Sequence, residues 1–469
     1  MLRRNETWNG TRVTIMGLGS FGGGVGLAAY LARQGAAVCV TDLRTEDDLQ
    51  ASVRMLDGLP IDFVLGQHRE QDFVDTDVVF VNPAVPLTSP YLALARGHHV
   101  RLDSEINLFV RSCRGRIIGI TGSVGKSTTT AMLGSILRLY DTHTLVGGNF
   151  GGSLLSSLPL ITPTTPVVLE LSSFQLEQLA WQSYSPPLAL ILNLTPNHLD
   201  RHGSMAVYKE AKAHILRYQK PGDLALLNWD AIAIRDMGIE RHATRVFYSI
   251  RETLAEGSFV KGQVACLSRG GRQQRLFRMD DVKLPGDHNL SNALAAATLA
   301  ALFGVPPDII AQGIRRFDGL PHRMERVARR CGVDFYNDSK ATTPISTIRA
   351  LQALRQPVVL LAGGYDKGTP FEELGKIIVE TAKAALLYGK TAAKLADAIS
   401  TAAGYSNRHL RPCVYRHDNL DAAFRQAMAI AEPGDAVLLS PACASYDQFP
   451  HFEARGEYFR QLVKQLTPE

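Results

Sequence analysis

The sequence predicts an α/β protein with parallel sheets, built in three sections. Strand-like apolar runs alternate with helical patterns along nearly the whole chain, which is typical of α/β layers. At 469 residues the chain is too long for a single hydrophobic core. Two glycine-rich loops stand near the start of the first two sections, each between an apolar run and a helical pattern. We therefore expect three domains, over residues 1–113, 114–319 and 320–469.

The first section is predicted to contain a strand at 13–16, a helix to about residue 34, a strand at 37–40 and another at 78–81. The loop GLGSFG lies between the first strand and the helix, with glycines at Gly17, Gly19 and Gly22. Together with Asp42 after the next strand, it matches the dinucleotide fingerprint. The same geometry serves any sugar nucleotide whose diphosphate rests on the helix N terminus. A nicotinamide cofactor and another nucleotide-like ligand both remain open at this point.

The second and third sections continue the alternation, with one exception. Between residues 247 and 279, short alternating runs and Gly-rich turns predict small antiparallel strands in place of another βα unit. The other strands are expected at 117–120, 167–171, 188–194, 333–336, 358–361 and 436–439, and the helices at 206–218, 290–303 and 345–354.

The loop TGSVGKST opens the second section and is typical of phosphate binding. Its glycines let backbone N–H groups point at phosphate oxygens, and the following helix adds its positive end. Lys126 would neutralise the β- and γ-phosphates, and the Ser127 hydroxyl would bind magnesium. The spacing departs from the full GxxxxGK[ST] pattern because Ile120 stands at the first glycine position. The strand before and the helix after are nevertheless the context that this chemistry needs, so we predict nucleotide binding.

Polar side chains follow the strands of the second section. Glu170 ends one strand, where side chains line the ligand crevice of an open sheet, although it could equally cap the serines that follow. After the next strand, NLTPNHLDRHG concentrates four polar residues, which favours a functional cluster. These four are His198, Asp200, Arg201 and His202. Lys209 and Lys212 share one face of the next helix, and spacing alone predicts two solvated lysines.

Polar loops also follow the strands of the third section, in NDSKATTP, LAGGYDKG and LLSPACASYDQF. Because the carboxyl ends of parallel strands meet at one edge of a sheet, these loops predict a second ligand crevice. Just before this section, LPGDHNLSNALAA places Asn289 at the start of an apolar helix, where it could be the N-cap.

Composition narrows the class of protein. The net charge of +5 is spread without a basic run of five or more residues, which argues against nucleic-acid binding. No apolar stretch reaches the ~18 residues of a spanning helix, and no signal peptide is recognisable. The six cysteines lack CxxC spacing, so we expect buried thiols in a reducing cytoplasm, without a disulfide framework or a zinc site.

These motifs, taken in order, resemble the Mur ligases, the ATP-dependent ligases of bacterial cell-wall synthesis. The resemblance runs from GLGSFG through TGSVGKST, GGNFGGS, ELSSFQLE, NLTPNHLDRH, YKEAK and PHRME to DSKAT and SPACASYDQF. It implies Rossmann-like N-terminal and C-terminal domains around a central ATPase domain with a parallel sheet. The C-terminal motifs point to the branch that adds D-glutamate to UDP-N-acetylmuramoyl-L-alanine through an acyl phosphate. The resemblance therefore favours a sugar nucleotide, rather than nicotinamide, at GLGSFG.

The resemblance also implies site residues. Lys126, Glu170, His198 and Lys212 would be catalytic, with Ser127, Glu170, His198 and a carbamylated Lys212 holding magnesium, two ions being expected. ATP would contact Gly122, Ser123, Val124, Gly125, Lys126, Ser127, Thr128, Asn289, Asn292, Arg323 and Asp338. The UDP-sugar peptide would contact Gly19, Ser20, Phe21, Asp42, Leu43, Arg44 and Asn149. D-glutamate would be held by Lys340, Thr342, Lys367, Ser445 and Phe452.

Other functions stay open alongside this one. A sister ligase, or a folylpolyglutamate-synthase-like ligase, would use the same phosphate loop with another amino acid or acceptor. An oxidoreductase would need a hydride-transfer constellation, which the sequence does not show. The expected partners are small molecules only, for a cytoplasmic monomer that binds neither nucleic acid nor membrane.

Overall fold

The computed structural model describes residues 7–19, 22–235, 237, 242–366, 368–404 and 412–466. It divides into two compact units, residues 1–282 with 288–317, and residues 283–287 with 318–469. Three sheets organise the chain, two in the first unit and one in the second. The predicted α/β class with mostly parallel sheets is confirmed. The predicted boundaries of three domains remain a prediction.

The first sheet has five parallel strands in the order β3-β2-β1-β4-β5. The strand order reverses between β1 and β4, and open sheets bind ligands beyond the carboxyl ends of the strands at such a point. The elements are β1 (Arg12–Met16), α1 (Gly23–Arg33), β2 (Ala37–Asp42), α2 (Glu46–Arg54), β3 (Ile61–Leu65), α3 (Gln71–Val74), β4 (Val78–Val81), α4 (Pro90–Gly97), β5 (Arg101–Asp103) and α5 (Glu105–Ser112).

The central sheet has nine strands in the order β14-β13-β12-β11-β10-β9-β6-β8-β7. The pairs from β7 to β12 are parallel, and β12, β13 and β14 are antiparallel. Its elements are β6 (Arg116–Thr121), α6 (Lys126–Tyr140), β7 (Leu145–Gly148), the 3₁₀ helix Leu155–Leu160, β8 (Pro166–Glu170), α7 (Ser173–Ala180), β9 (Leu188–Ile191), α8 (Leu199–His202), α9 (Met205–Arg217), β10 (Leu224–Asn228), α10 (Ile232–Arg235), β11 (Thr244–Ser249), β12 (Gly257–Lys261), β13 (Val264–Arg269), β14 (Arg272–Arg278), the 3₁₀ helix Met279–Asp281, α11 (Asp287–Phe303) and α12 (Pro307–Arg316).

The third sheet has six strands in the order β15-β16-β20-β17-β18-β19, and only β15 is antiparallel to its neighbour. Its elements are β15 (Glu325–Arg330), β16 (Val333–Asn337), α13 (Pro344–Ala353), β17 (Val358–Gly363), α14 (Glu372–Thr381), β18 (Ala382–Tyr388), α15 (Ala392–Gly404), β19 (Cys413–His417), α16 (Leu420–Ile430), β20 (Ala436–Leu439) and α17 (Phe452–Lys464).

The central strands are apolar along their length because helices cover both faces of a parallel sheet. All four residues of β4, β9 and β20 are buried, and the predicted strands at 78–81 and 436–439 are confirmed to the residue. The predicted antiparallel strands are confirmed for β12 to β14. The prediction is wrong for β11, which pairs in parallel with β10 and so extends the main sheet.

The cysteines depart from expectation. Cys266 and Cys443 are buried, but Cys331 and Cys413 are exposed, so the prediction of buried thiols is wrong for these two. Cys331 lies in the turn between two antiparallel strands, and Cys413 begins β19, the edge strand of the third sheet. Within the described ranges, no helix is long and apolar enough to cross a membrane.

Candidate active site

The phosphate loop connects β6 to α6 in the central sheet. Gly125 precedes the helix with φ of 86°, a left-handed conformation that favours glycine. A Cβ at this position would lie 2.5 Å from Oδ1 of Asn292. Lys126 curls back and donates through Nζ to the carbonyl oxygens of Gly122 (2.9 Å) and Ser123 (3.1 Å). The loop is therefore tightly closed, and Asn292 of α11 lies directly against it.

Asn193, which follows β9, fastens one side of this loop. Its carbonyl oxygen accepts from the Ser123 amide at 3.0 Å, and its Oδ1 accepts from the Val124 amide at 2.9 Å. Its Nδ2 donates to the Val124 carbonyl at 2.8 Å. The first-turn amides of α6, at Ser127 and Thr128, have no acceptor within the helix. These amides and the Lys126 ammonium are therefore the groups that suit a phosphate.

Glu170, at the end of β8, carries a buried carboxylate beside the phosphate loop. Its Oε1 accepts from Asn149 Nδ2 at 2.7 Å, and its Oε2 is buried with no hydrogen-bond partner among the described atoms. The alternative that Glu170 caps the following helix is wrong, because Ser172 caps α7 in a capping box with Gln175. A buried carboxylate oxygen without a partner is costly, and a bound cation would satisfy it.

Lys212 is buried in α9, with only 1% of its surface exposed. Its Nζ donates to Thr121 Oγ1 at 3.2 Å and lies 4.8 Å from the centre of the Tyr208 ring. Burial, and then the neighbouring Lys126 ammonium, hold the pKa of Lys212 well below its ordinary value, against the opposing effect of Glu170. The prediction from spacing, a solvated lysine, is wrong because α9 turns this face onto the sheet. A buried amine of this kind is a nucleophile when neutral.

His198 lies just before the short helix α8, with φ of 53°. The ring of Phe174, from the motif ELSSFQLE, contacts three side chains of this segment. His198 meets it edge-on at 5.3 Å, His202 stacks on it at 5.1 Å, and the Arg201 guanidinium lies 4.9 Å from its centre. His202 is also hydrogen-bonded to Ser173 at 2.9 Å. The side chain of Asp200 lies outside the described part of the chain.

The predicted magnesium site has too few ligands if only unmodified His, Cys, Asp and Glu side chains are counted. Within the described ranges, no group of three or more His, Cys, Asp and Glu side chains is arranged to hold a metal ion. The candidate set contains one carboxylate, Glu170, and one imidazole, His198. A further oxygen ligand would have to come from Ser127, from substrate phosphate or from a modified Lys212.

The first glycine loop and the loop VNPAVP (residues 81–86) follow β1 and β4, between which the strand order of the first sheet reverses. Asp42 Oδ2 accepts from the Leu18 amide at 3.0 Å, and Oδ1 accepts from the Arg44 amide at 3.0 Å. Asn82 donates through Nδ2 to the Gly17 carbonyl at 3.1 Å. The ribose-binding acid of the fingerprint is thus already engaged in its own loop. Gly19 and the exposed Leu43 lie in this region, whereas Ser20 and Phe21 fall outside the described residues.

The asparagines predicted near adenine are both buried at the start of α11. The helix begins at Asp287, so Asn289 lies in its first turn, and the alternative that it is the N-cap is wrong. Asn292 Nδ2 is 3.5 Å from Asn289 Oδ1. Asn292 lies against Gly125 of the phosphate loop.

The second unit brings three predicted loops together at one sheet edge. The Tyr365 amide donates to the Ala444 carbonyl at 2.9 Å, which joins the loops after β17 and β20. Asp338, after β16, accepts from Ser440 Oγ at 2.8 Å and from the Met324 amide at 3.1 Å. Burial raises the pKa of Asp338 to about 7, while Ser440, Met324 and Arg323 act to lower it. Arg323 therefore lies within electrostatic reach of Asp338.

The residues predicted to hold an amino acid line the same edge in part. The Lys340 ammonium lies 5.4 Å from the centre of the Phe452 ring, and the Thr342 amide donates to the Lys340 carbonyl. The Ser445 hydroxyl is buried with no hydrogen-bond partner among the described atoms. A ligand could supply the missing hydrogen bond. Lys367 lies outside the described residues.

Arg455, in α17, is a site residue that sequence reasoning missed. It is fully buried. Its guanidinium donates to the carbonyl oxygens of Ser339, Cys443 and Ala444 and to Ser339 Oγ, at 2.9 to 3.2 Å. It therefore ties two ligand loops to one helix. The sequence signal was a lone arginine on the apolar face of the segment FEARGEYF, but the sequence alone could not show that this arginine is buried. Asn193 and Phe174 were also missed as supports of the phosphate and histidine loops.

A phosphate loop on a parallel central sheet, together with polar loops at the carboxyl edges of two further α/β sheets, defines a nucleotide-binding α/β enzyme. Family models match along the chain: the Mur ligase MurD-like N-terminal domain at residues 11–102, the Mur ligase middle domain at 120–300, and the Mur ligase glutamate ligase domain at 322–443. The chain belongs to the Mur ligase family.

Relatives agree with this family, and solved structures share its fold. Two proteins named UDP-N-acetylmuramoylalanine–D-glutamate ligase are similar over nearly their whole length. The one from a Roseiflexus species is 45% identical, covering 98% of this chain and 99% of the relative, and the one from Alkaliphilus metalliredigens is 37% identical, covering 97% and 98%. UDP-N-acetylmuramate-alanine ligase MurC from Thermotoga maritima shares the fold, with a TM-score of 0.62 at 20% identity over 97% of this chain and 100% of that one. A pseudomurein peptide ligase type C from Methanothermus fervidus has a TM-score of 0.56 at 17% identity, with the same coverage.

Proposed function

We propose that the chain is an ATP-dependent, ADP-forming ligase that adds D-glutamate to UDP-N-acetylmuramoyl-L-alanine in peptidoglycan precursor synthesis. The substrate pair is supported by the shared name of relatives that match almost the whole chain. The single observation that carries the chemistry is Glu170, with one oxygen held by Asn149 and the other buried without a partner beside the phosphate loop. A carboxylate oxygen without a partner suits a site that binds a cation between the ATP phosphates and the acceptor carboxylate.

The reaction joins a carboxylate to an amine at the expense of ATP. The acceptor carboxylate attacks the γ-phosphorus, the bond to the β-phosphate oxygen breaks, and an acyl phosphate and ADP form. The amine of D-glutamate then attacks the acyl carbon to give a tetrahedral intermediate, which loses inorganic phosphate and a proton to leave the amide. The phosphate that the loop holds is therefore received by the substrate.

The residues of the first unit would divide this work. Lys126 and the first-turn amides of α6 would neutralise and orient the ATP phosphates, while Asn289 and Asn292 would flank the adenine. Asn149 would contact the sugar peptide. The remaining ATP contacts would be Gly122, Ser123, Val124, Gly125, Ser127 and Thr128, and the UDP end would lie on Gly19, Ser20, Phe21, Asp42, Leu43 and Arg44.

Magnesium is the cofactor of this family, and the donor set fits it in part. When bound, Mg²⁺ neutralises charge on the phosphates that must meet the acceptor carboxylate. The buried Oε2 of Glu170 is an oxygen of the kind that Mg²⁺ prefers, and His198 and Ser127 would complete its surroundings. We propose that Lys212 carries a carbamate. Its lowered pKa leaves a neutral amine whose nitrogen can form a bond to the carbon of carbon dioxide and lose a proton, which would turn a buried lysine into a buried carboxylate. Two ions are expected.

The second unit would bring the amino acid. Lys367 would pair with one of its carboxylates, and D-glutamate would also be held by Lys340, Thr342, the buried Ser445 hydroxyl and Phe452. Arg323 and Asp338 would contact the nucleotide. We also propose a cytoplasmic monomer, in three domains over residues 1–113, 114–319 and 320–469.

The test is phosphate release from ATP and Mg²⁺ with UDP-N-acetylmuramoyl-L-alanine, offered D-glutamate, L-glutamate or L-alanine in parallel. Release with D-glutamate alone, and only when the acceptor is present, is the expected result. Release with another amino acid would keep the ligase chemistry but contradict the substrate, in favour of a sister ligase. No release with any of the three would overturn the proposed function.

A further inference from the structure

The loop at residues 148–153, here called the asparagine loop, links the first sheet to the central sheet within the first unit. At one end, the Asn149 amide donates to the Glu170 carbonyl at 2.9 Å, and Asn149 Nδ2 donates to Glu170 Oε1 at 2.7 Å. At the other end, Ser153 Oγ donates to Glu105 Oε1 at 2.7 Å. One short loop thus joins the proposed metal carboxylate to a carboxyl group in the first turn of α5.

Both ends of the asparagine loop are sterically fixed. Gly148 has φ of 93°, and a Cβ there would lie 2.4 Å from the Glu170 carbonyl oxygen. At the far end, a Cβ on Gly26 of α1 would lie 2.5 Å from Ser153 Cβ. Because α1 begins directly after GLGSFG, Ser153 packs on the helix that leaves the first glycine loop. A shift at Ser153 would therefore be transmitted to Asn149.

Glu105 has no role in the proposed chemistry, yet its surroundings are unusual for a carboxyl group. Burial raises its pKa to about 7, opposed only by the Ser153 hydrogen bond. The elements packed against α5 are α1, α7 and the 3₁₀ helix Leu155–Leu160. Neither Arg33 of α1 nor Glu177 of α7 contributes to this pKa, and the 3₁₀ helix has no charged residue. The pKa of Glu105 therefore lies close to neutral pH while the loop is packed.

We propose that Glu105 is a positioning residue for the ligase reaction, and that it acts by holding Ser153 and so the asparagine loop. The proposal rests on the proposed function. An acceptor that spans from the first glycine loop to the phosphate loop needs the two loops at a fixed separation. The asparagine loop packs against α1, which follows the first glycine loop, and against Glu170, which lies beside the phosphate loop. Glu105 would thus couple the seating of the sugar nucleotide to the placement of Glu170.

The first experiment compares Ser153→Ala and Glu105→Ala with the full-length wild type. Losing this partly buried hydrogen bond, which orders the asparagine loop, is expected to raise the KM for UDP-N-acetylmuramoyl-L-alanine about tenfold, with the KM for ATP changed less than about twofold. The matched control is Thr76→Val. It removes a buried hydroxyl bonded to the Arg12 carbonyl, at the amino ends of the central strands β1 and β4, and should leave both KM values unchanged.

The second experiment uses pH, which a purely structural role would not move. While the loop is packed, Glu105 keeps its proton up to about pH 7. When the loop opens to water, the group loses its proton near its ordinary pKa of about 4.3. The packed form therefore binds more protons, and raising the pH from 5 to 8 favours opening. The KM of the wild type for the acceptor should rise by about threefold or more relative to that of Glu105→Gln over this range, because the amide keeps an acceptor for Ser153 and does not titrate.

Hydrogen exchange separates failure of this proposal from failure of the proposed function. Exchange at the Asn149 amide should accelerate in Ser153→Ala and Glu105→Ala but not in Thr76→Val, whether or not any acceptor binds. Unchanged exchange and unchanged KM in both loop variants would overturn the positioning role. A flat ratio of KM values between wild type and Glu105→Gln from pH 5 to 8 would overturn it as well.

Discussion

The carboxyl edges of the central and third sheets use buried charge in opposite ways. At the central edge, Lys212 and Glu170 are buried but not fully satisfied, since the lysine pKa is strongly lowered and one carboxylate oxygen has no partner. At the third edge, the buried charge of Arg455 is satisfied by four hydrogen bonds to its own loops. The first arrangement leaves an amine that loses its proton easily and a carboxylate oxygen without a partner, and the second uses a charge to shape loops. Burial alone therefore does not separate the groups proposed to bind a ligand from those that hold loops together, whereas hydrogen-bond satisfaction differs between Glu170 and Arg455.

The largest effect should come from breaking the satisfied edge. Arg455→Met removes the guanidinium from three buried carbonyl oxygens; that of Ala444 keeps the Tyr365 amide, whereas those of Ser339 and Cys443 lose the donor that Arg455 supplies. The free energy of unfolding of the second unit should therefore fall by about 3–5 kcal/mol. Denaturant unfolding of the whole chain measures it. Arg425→Met is the control, since Arg425 is exposed and pairs with Asp421 one turn away, where a loss of at most about 0.5 kcal/mol is expected. Equal midpoints for wild type and Arg455→Met would show that the guanidinium does not hold the loops.

The next effect should come from the unsatisfied edge. If Lys212 supplies a metal-binding carbamate, Lys212→Ala should lower kcat by at least about 100-fold at saturating substrates, and added bicarbonate should not restore it. Lys209→Ala, on the same helix but partly exposed, should keep most of the activity.

A direct readout accompanies this prediction. Incubation with ¹³C-bicarbonate should give a carbamate carbon signal in the wild type and in Lys209→Ala, and none in Lys212→Ala. Near-normal turnover of Lys212→Ala would contradict the carbamate. Lys212 would then have a structural role at the central sheet, as Arg455 has at the third sheet.

The smallest effect should come from an exposed contact that joins the two sheets of the first unit. Arg201 donates through Nη1 to the Ala84 carbonyl at 2.6 Å and lies over Phe174. Because exposed contacts contribute little, Arg201→Ala should raise the KM for the acceptor by only about threefold. Arg235→Ala is the control, since Arg235 lies over Trp229 at the same 4.9 Å. A 100-fold loss in Arg201→Ala would mean that this arginine belongs to the reacting centre.

The sequence predicted the fold because its signals are local. The strands at 78–81 and 436–439 are short, fully apolar runs between turn residues. Such runs predict strands correctly where both faces of a parallel sheet are covered. The phosphate loop was equally visible, since its glycines, lysine and serine are contiguous. The end of the strand predicted at 188–194 was less visible: the strand stops at Ile191, because the residues that follow turn away to bind the phosphate loop through Asn193.

The sequence by itself determined the α/β alternation, the two glycine loops, the order of motifs and hence the family, because each of these is written in consecutive residues. Tertiary structure decided which side chains are left unsatisfied. Spacing could not tell Lys212 from Lys209, could not show that Arg455 is buried, and could not bring Glu105 to Ser153 across 48 residues. Burial and hydrogen-bond satisfaction depend on residues far apart in the chain, and only the packed sheets bring them together.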